Sequence, residues 1–489
     1  MSASVATLFY AALILGLFWL DRDPRARTSA ALWIPVVWLS LAGSRSVSEW
    51  LQSVPPGTSA EALLEGDPIN RLAYSGLSAV GVAVLLFRGR KVLRFLEANG
   101  VVVVFLLYCA LSLTWADYPD VGFKRLVKAV GDLIMVLIVV SDHDPSVAIR
   151  RLLARTGFLL VPLSVLMIKY YPDLARYYDR WEWTTQYSGV TTNKNALGVI
   201  CLLFGLASAW QFLAALFGPD RTGRGRRLIA HGAMLLMVAW LFARAHSMTS
   251  LACFFVGLAV LLVVGLRLTV RKPWMALVLE FRPIARRSLM VHALVAALIA
   301  VPSAVLFGGM EGVLRMMGKD PTLTDRTDVW GLLLSLTTST WVVGTGFENF
   351  WLGPRLDTIW STYSWRPTQA HNGYLEIYLN LGWIGIALLT IVLAVGYQTV
   401  LTGLRRFPSI GGLMLAYFVV GIVYNFTEAA FFRIMAPAWF ALLLAIARVP
   451  DPPRTKKQPP LGRRPTERRT ALGAYDKVRE HTVAISRKA

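Results

Sequence analysis

The segment Gln369–Leu388, QAHNGYLEIYLNLGWIGIAL, begins polar and runs unbroken into apolar sequence. Asn372 is a favoured helix-capping residue, so Glu376 falls in the first turn, where the helix dipole favours a carboxylate. His371 sits just before that cap. A neutral imidazole there can take a proton from a hydroxyl near neutral pH; an interfacial histidine in ordinary hydrogen bonds is the plainer alternative. Four other stretches hold charged groups of the same kind. In DRTDVW, Asp325–Trp330, Arg326 offers a planar fork suited to phosphate. A surface pair with Asp325 or Asp328 competes with that reading. In NKNALG, Asn193–Gly198, Lys194 opens an apolar run beneath the aromatic stretch Tyr177–Tyr187. It suits an anionic headgroup, and it equally suits snorkelling to an interface. Arg244 ends another apolar run, with His246 close by. In NFTEAAFFR, Glu428 and Arg433 lie between the last two apolar runs, where an internal ion pair is the alternative.

Several chemistries lack their signatures. There is no GxxxxGK[ST] loop for an ATP-driven pump and no His/Cys/carboxylate cluster with metal spacing. No DxD-like carboxylate pair for holding a cation on a nucleotide sugar is present on an outer loop. Cys109, Cys201 and Cys253 all lie in apolar runs and read as packing residues.

The elements that must position these groups are membrane helices. The 489 residues are 55% hydrophobic, mean hydropathy is +0.53, and apolar runs of spanning length recur from Leu8 to Arg448. A span needs roughly 17–25 residues and must satisfy its own backbone. The expected fold is an all-α polytopic membrane protein of about 12–13 transmembrane helices. The expected cores are 5–20, 30–43, 72–87, 100–115, 127–141, 153–168, 195–217, 228–243, 250–266, 288–307, 374–400, 411–424 and 432–447. The first has no basic leader or clear cleavage site and reads as a retained helix rather than a signal peptide. Loops between the cores alternate between short basic ones and mixed, aromatic ones. The positive-inside rule puts the basic set and the C-terminus in the cytoplasm, and every candidate residue above on the outer face. That pattern also accounts for the net charge of +21 better than nucleic-acid binding does. Residues 1–450 read as one transmembrane domain with a long outer loop at 308–373. Within that loop Val329, Leu332, Leu333 and Leu336 form the apolar face of a short helix over Asp328–Ser339, lying on the membrane or on the bundle. Residues 451–489 read as a basic, disordered cytosolic tail.

Together LSLTWADYP (Leu111–Pro119), TNKNALG (Thr192–Gly198), DRTDVW…GTGFENFW (Asp325–Trp351), AHNGYLEIYLNLGWIG (Ala370–Gly385) and NFTEAAF (Asn425–Phe431) resemble the O-antigen ligase / Wzy-type polysaccharide polymerase family. The resemblance implies a glycosyltransferase of the bacterial inner membrane, working on its periplasmic face without a metal, nucleotide sugar or other cofactor. Its donor and acceptor would be undecaprenyl-pyrophosphate-linked glycans. Its partners would be membrane lipid and other polysaccharide export and chain-length proteins, with no nucleic acid. The resemblance makes His371 and Arg326 catalytic; the position of the other polar groups on the same face suggests that Glu376 joins the catalytic set by orienting His371 and that Arg244, Lys194, Asn372, Glu428 and Arg433 bind substrate. One departure stands out. Where the family has a basic residue near the start of a middle span, ARAHSMTSL has Met248, and Arg244 lies about one helical turn earlier. Polymerisation of lipid-linked repeats into exopolysaccharide or O-antigen is the first reading, and ligation to a lipid A core is its sibling. A lipid-glycan flippase or transporter is the rival, but no paired inverted halves are visible.

Overall fold

A computed structural model of the protein describes residues 2–24, 26–52, 66–179, 184–218, 221–269, 292–293, 295–297 and 326–450. The expected tail, most of the expected span 288–307 and the first part of the long loop lie outside them. The described residues form an all-α polytopic membrane fold. Seven helices are long and apolar enough to cross a membrane. They are α1 (Ala3–Leu20), α3 (Pro68–Arg88), α6 (Pro145–Tyr170), α7 (Lys194–Phe217), α8 (Arg224–Ala245), α9 (Met248–Thr269) and α12 (Gly373–Arg406). An eighth candidate is the pair Arg90–Ala98 and α4 (Gly100–Ser112), bent by 83°. Shorter apolar helices fill the remaining expected cores: α2 (Trp33–Ala42), α13 (Pro408–Tyr424) and α14 (Pro437–Ile446). The core expected at 127–141 belongs to α5 (Pro119–Val140), whose first half carries Asp120, Lys124, Arg125 and Lys128.

Helices α6 and α7 are buried along most of their length, whereas α1 is the least buried of the long helices. α7 packs on α8 and α9, and α13 packs on α9 and α12. With no hydrophobic force between helices in lipid, small residues and internal polar bonds must hold such contacts. Gly198 faces Ser247 and Ser250 across the α7–α9 contact. Trp38 donates its indole N–H to the buried Asp132 carboxylate at 2.7 Å, and the Tyr417 hydroxyl donates to the Leu203 carbonyl at 2.8 Å.

Three features depart from the helical expectation. A two-stranded antiparallel hairpin, β1 (Arg176–Asp179) with β2 (Thr184–Tyr187), follows α6. The outer-loop helix α10 runs Arg326–Ser335, two residues earlier than its apolar face suggests, and ends sooner. Val329 and Leu333, one turn apart, are buried against Phe350, Leu356, Ile359 and Leu379, so α10 lies on protein. A second helix, α11 (Gly353–Thr362), contributes Leu356 and Ile359 to that cluster.

The third departure shapes the site. α12 is not one straight rod: Gly382 has φ 63° and ψ −162°, which breaks it. That conformation is essentially open only to glycine. The chain Trp341–Gly346 lies across the break. Trp383 and Ile384 N–H donate to the Trp341 and Val342 carbonyls, and Thr345 and Gly346 N–H donate to those of Leu379 and Asn380. The two backbones approach so closely that a Cβ on Gly344 or Gly382 would overlap the opposing chain. The backbone groups released by the break are thus satisfied by protein, the condition for irregular chain at membrane depth. The short first segment, Gly373–Leu381, is held independently of the long span behind it.

Candidate functional site

Gly373 N–H donates to the carbonyls of Asn425 (2.8 Å) and Glu428 (3.1 Å), which ties the start of α12 to the loop after α13. A Cβ at Gly373 would run into the Asn425 side chain. The Asn425 amide in turn folds its own loop. Its oxygen accepts from Ala430 and Phe431 N–H (2.8 and 3.0 Å), and its nitrogen donates to the Gly421 carbonyl (2.7 Å). Asn372 caps α12 as expected, accepting from Tyr374 and Leu375 N–H at 3.0 and 3.1 Å. His371, just before it, has φ 50°, a sparsely populated conformation for a residue with a side chain.

This backbone brings His371 onto Glu428. Nδ1 of His371 lies 3.1 Å from Glu428 Oε2 and 3.3 Å from the Gln369 amide nitrogen. Both cannot be served by one ring nitrogen in one tautomer, since the amide only donates there. The carboxylate contact is shorter and charge-assisted, so Nδ1–H belongs to Glu428, and the neutral form of the ring carries its lone pair on Nε2. Glu428 is 7% exposed, and its other oxygen accepts from Asn195 Nδ2 at 3.2 Å. Asn195 is in the first turn of α7, next to Lys194, whose backbone N–H is bonded by the Tyr177 hydroxyl at 3.3 Å. Three motifs far apart in sequence therefore meet around one imidazole.

The expected partnership between Glu376 and His371 is corrected. Glu376 accepts from the Trp351 indole N–H at 2.6 Å and from Ala370 N–H at 3.0 Å. One turn into the helix, it reaches across the cap to the segment before His371 and does not reach the ring. Trp351 is committed to this bond and only 6% exposed, so its ring is not available to a ligand. Trp365 keeps the position of a ring beside the imidazole, at 6.3 Å between centroids, and Tyr363 lies 6.3 Å beyond it.

The cations sort into two groups. Arg433 donates to the Gln369 side-chain oxygen, and its charge acts on both Glu376 and Arg125. Arg125, on the N-terminal half of α5, donates to the Glu348 carbonyl and pairs with its carboxylate at 3.8 Å. Glu348 has φ 55°, and its loop is pinned by Asn380, whose oxygen accepts from Asn349 and Phe350 N–H (3.0 and 3.1 Å). Arg125 and Glu348 are additions that sequence reasoning missed. The available signal was a basic residue following LSLTWADYP in the first half of its helix. Arg244 is in a different setting, over the Tyr187 and Trp240 rings at 5.7 and 5.5 Å. A hydroxyl contact of 3.3 Å between Thr249 and Thr427 links its loop to that of Glu428. Nearby, Arg45 fastens the hairpin region through Gly189 and Ser188 (both 3.3 Å) and the Leu174 carbonyl. Burial lowers its pKa, and Glu49 pulls it partly back.

Arg326 opens α10, and its side chain, like all of Asp325, lies outside the described residues. The helix itself is placed. Trp330, one turn further on, donates its indole N–H to the Ala370 carbonyl at 2.8 Å, directly beside His371. A hydrogen-bonded imidazole with a lone pair to offer thus shares one mouth of the bundle with several cations, an arrangement suited to accepting a proton beside an anionic group.

Two comparisons bear on this arrangement. The family model described as O-Antigen ligase matches residues 225–390, a stretch that contains both Arg326 and His371. The chain is also 26% identical over 334 residues to the exopolysaccharide production protein ExoQ of Rhizobium meliloti (strain 1021), covering 67% of this chain and 71% of that protein.

Proposed function

We propose, from the premise that the chain is of the O-antigen ligase/Wzy-like family, that it polymerises undecaprenyl-pyrophosphate-linked oligosaccharide repeats into polysaccharide at the periplasmic face of the bacterial inner membrane. The observation that carries this reading is the His371–Glu428 pair at 3.1 Å, a half-buried imidazole on a buried carboxylate, at the same end of the bundle as Arg433 and Arg125. His371 Nε2 takes the proton of an acceptor hydroxyl as that oxygen attacks the anomeric carbon of the donor. Glu428 holds the ring and stabilises the imidazolium that forms. The sugar–phosphate bond breaks with its electron pair going to the lipid pyrophosphate, and in-line attack inverts the anomeric centre. Arg326, Arg433 and Arg125 stabilise that leaving charge, a contribution worth about 10²–10³ in turnover for a single group in other enzymes. Lys194 and Arg244 bind more distant parts of the lipid-linked glycans. Asn372 and Glu376 act by fixing the backbone on either side of His371.

The relative's role in exopolysaccharide production favours chain growth, whereas the match to an O-antigen ligase family favours transfer of a finished glycan to a lipid A core. Reconstitution in vesicles with purified lipid-linked oligosaccharide as the sole substrate tests the choice. Chain growth is expected. Transfer only after a lipid A core is added would replace polymerase by ligase, and movement across the bilayer without new bonds would replace both by a transporter.

A further inference from the structure

α6 is 26 residues long, and its two ends lie on opposite sides of the bundle. Tyr171, at one end, adjoins the hairpin region near the His371 mouth. At the other end an open cavity of about 360 Å³ is lined by Phe18, Asp21, Arg22, Asp23, Arg151 and Arg155 among others. Its two carboxylates already have basic partners. Asp23 pairs with Arg150 at 3.2 Å, and Asp21 contacts the buried His231 at 3.2 Å. Arg151 is committed to the chain, donating to Thr28 Oγ1 (2.7 Å) and to the carbonyls of Asp23 (3.0 Å) and Ala26 (2.6 Å). Arg155 differs. Its guanidinium lies 4.5 Å from the centroid of the Trp33 ring, and it has no hydrogen-bond or salt-bridge partner among the described residues. Stacking uses the face of a guanidinium and leaves its N–H edge available, the geometry for bidentate phosphate recognition. Arg22 stands exposed on the rim.

The surroundings of this cavity point to lipid. Phe18 stacks on Trp33 at 6.2 Å and meets Phe158 edge-on at 5.8 Å, which gives the cavity an aromatic wall. From there α1 continues outward with Leu15 and Trp19 exposed at 71% and 61%, a surface on which acyl chains can lie. A basic, partly desolvated opening at a helix end joined to such a surface matches an anionic phospholipid, headgroup in and chains along the helix. We propose that this cavity is a binding site for a phosphate group, supplied by the headgroup of an anionic phospholipid and gripped by Arg155 with Arg22. The site is remote from His371 and does not depend on the reaction assigned there.

Native mass spectrometry of the full-length protein, titrated with phosphatidylglycerol or phosphatidylcholine, tests this. Saturable retention of phosphatidylglycerol over phosphatidylcholine is expected. The double variant Arg22→Gln/Arg155→Gln should lose about tenfold or more of that retention, since each basic residue near a lipid surface contributes about 1 kcal/mol. Arg155→Lys, which keeps the charge, should retain part of it. An unchanged thermal unfolding midpoint in the double variant shows that the loss is local. Binding of inorganic phosphate alone, displacing the lipid and requiring Arg155, would keep the phosphate site and overturn the lipid source. Equal retention of both lipids, or wild-type retention by the double variant, would overturn the proposal.

Discussion

Both ends of the bundle carry arginines, but they hold them differently. At the α6 end near Arg151, Arg150 and His231 lie on regular helices and meet the Asp23 and Asp21 carboxylates, while Arg151 donates to loop carbonyls. At the His371 end the charged groups lie on irregular backbone, and side chain meets side chain across the bundle. His371 reaches Glu428, Gln369 reaches Arg433, and Asn195 reaches Glu428, with 57 to 233 residues between partners. His371 and Glu348 adopt positive φ there, and Gly382 breaks the helix behind them. Topology alone explains basic residues at one end of a membrane protein. It does not explain a half-buried imidazole set on a buried carboxylate, assembled from three motifs and held by backbone conformations that cost roughly 1–3 kcal/mol each. Such an assembly is what a reacting site needs.

Substitutions can break that contrast. His371→Ala should give inserted protein whose chain growth in vesicles falls by about 10²–10⁴, the range for loss of a general base; near-normal growth would remove the imidazole from the chemistry. Arg433→Ala should cost about 10²–10³ in the same assay if it stabilises leaving charge. Glu428→Gln keeps the shape and removes the charge. A hydrogen bond to a charged group contributes about 1.5–3 kcal/mol, so a loss of roughly 10–100-fold is expected. Trp330→Phe removes one bond to the Ala370 carbonyl and should cost about 1 kcal/mol, or roughly fivefold. Arg150→Ala, at the opposite end, breaks a half-exposed ion pair with Asp23 and should change thermal stability by less than about 1 kcal/mol, with polymer yield unaltered. A loss there as large as that for Arg433 would erase the distinction between the two ends.

Much of this arrangement is legible in the sequence, for physical reasons. Apolar length marks the spans, and the cores expected within the described residues fall on helices. The Asn372 cap follows from residue type and position, and the site residues are visible as charges at the ends of apolar runs. What stays hidden depends on tertiary approach. Nothing local to LNLGWIG shows that Gly382 breaks its helix, because the cause is the chain Trp341–Gly346 lying across it. Glu376 is nearer to His371 in sequence than Glu428 is, yet the cap turns it toward Trp351 and Ala370. Arg125 resembles an ordinary helix-end cation until the Glu348 loop closes over it.

The most direct measurement is a cryo-electron microscopy map of the full-length protein with a lipid-linked oligosaccharide bound. The diphosphate is expected within ion-pairing reach of Arg433, Arg125 and the start of α10, with the saccharide's anomeric carbon toward His371 Nε2. A diphosphate seated away from His371, or at the Arg155 end of the bundle, would contradict the assignment of the reaction to this mouth.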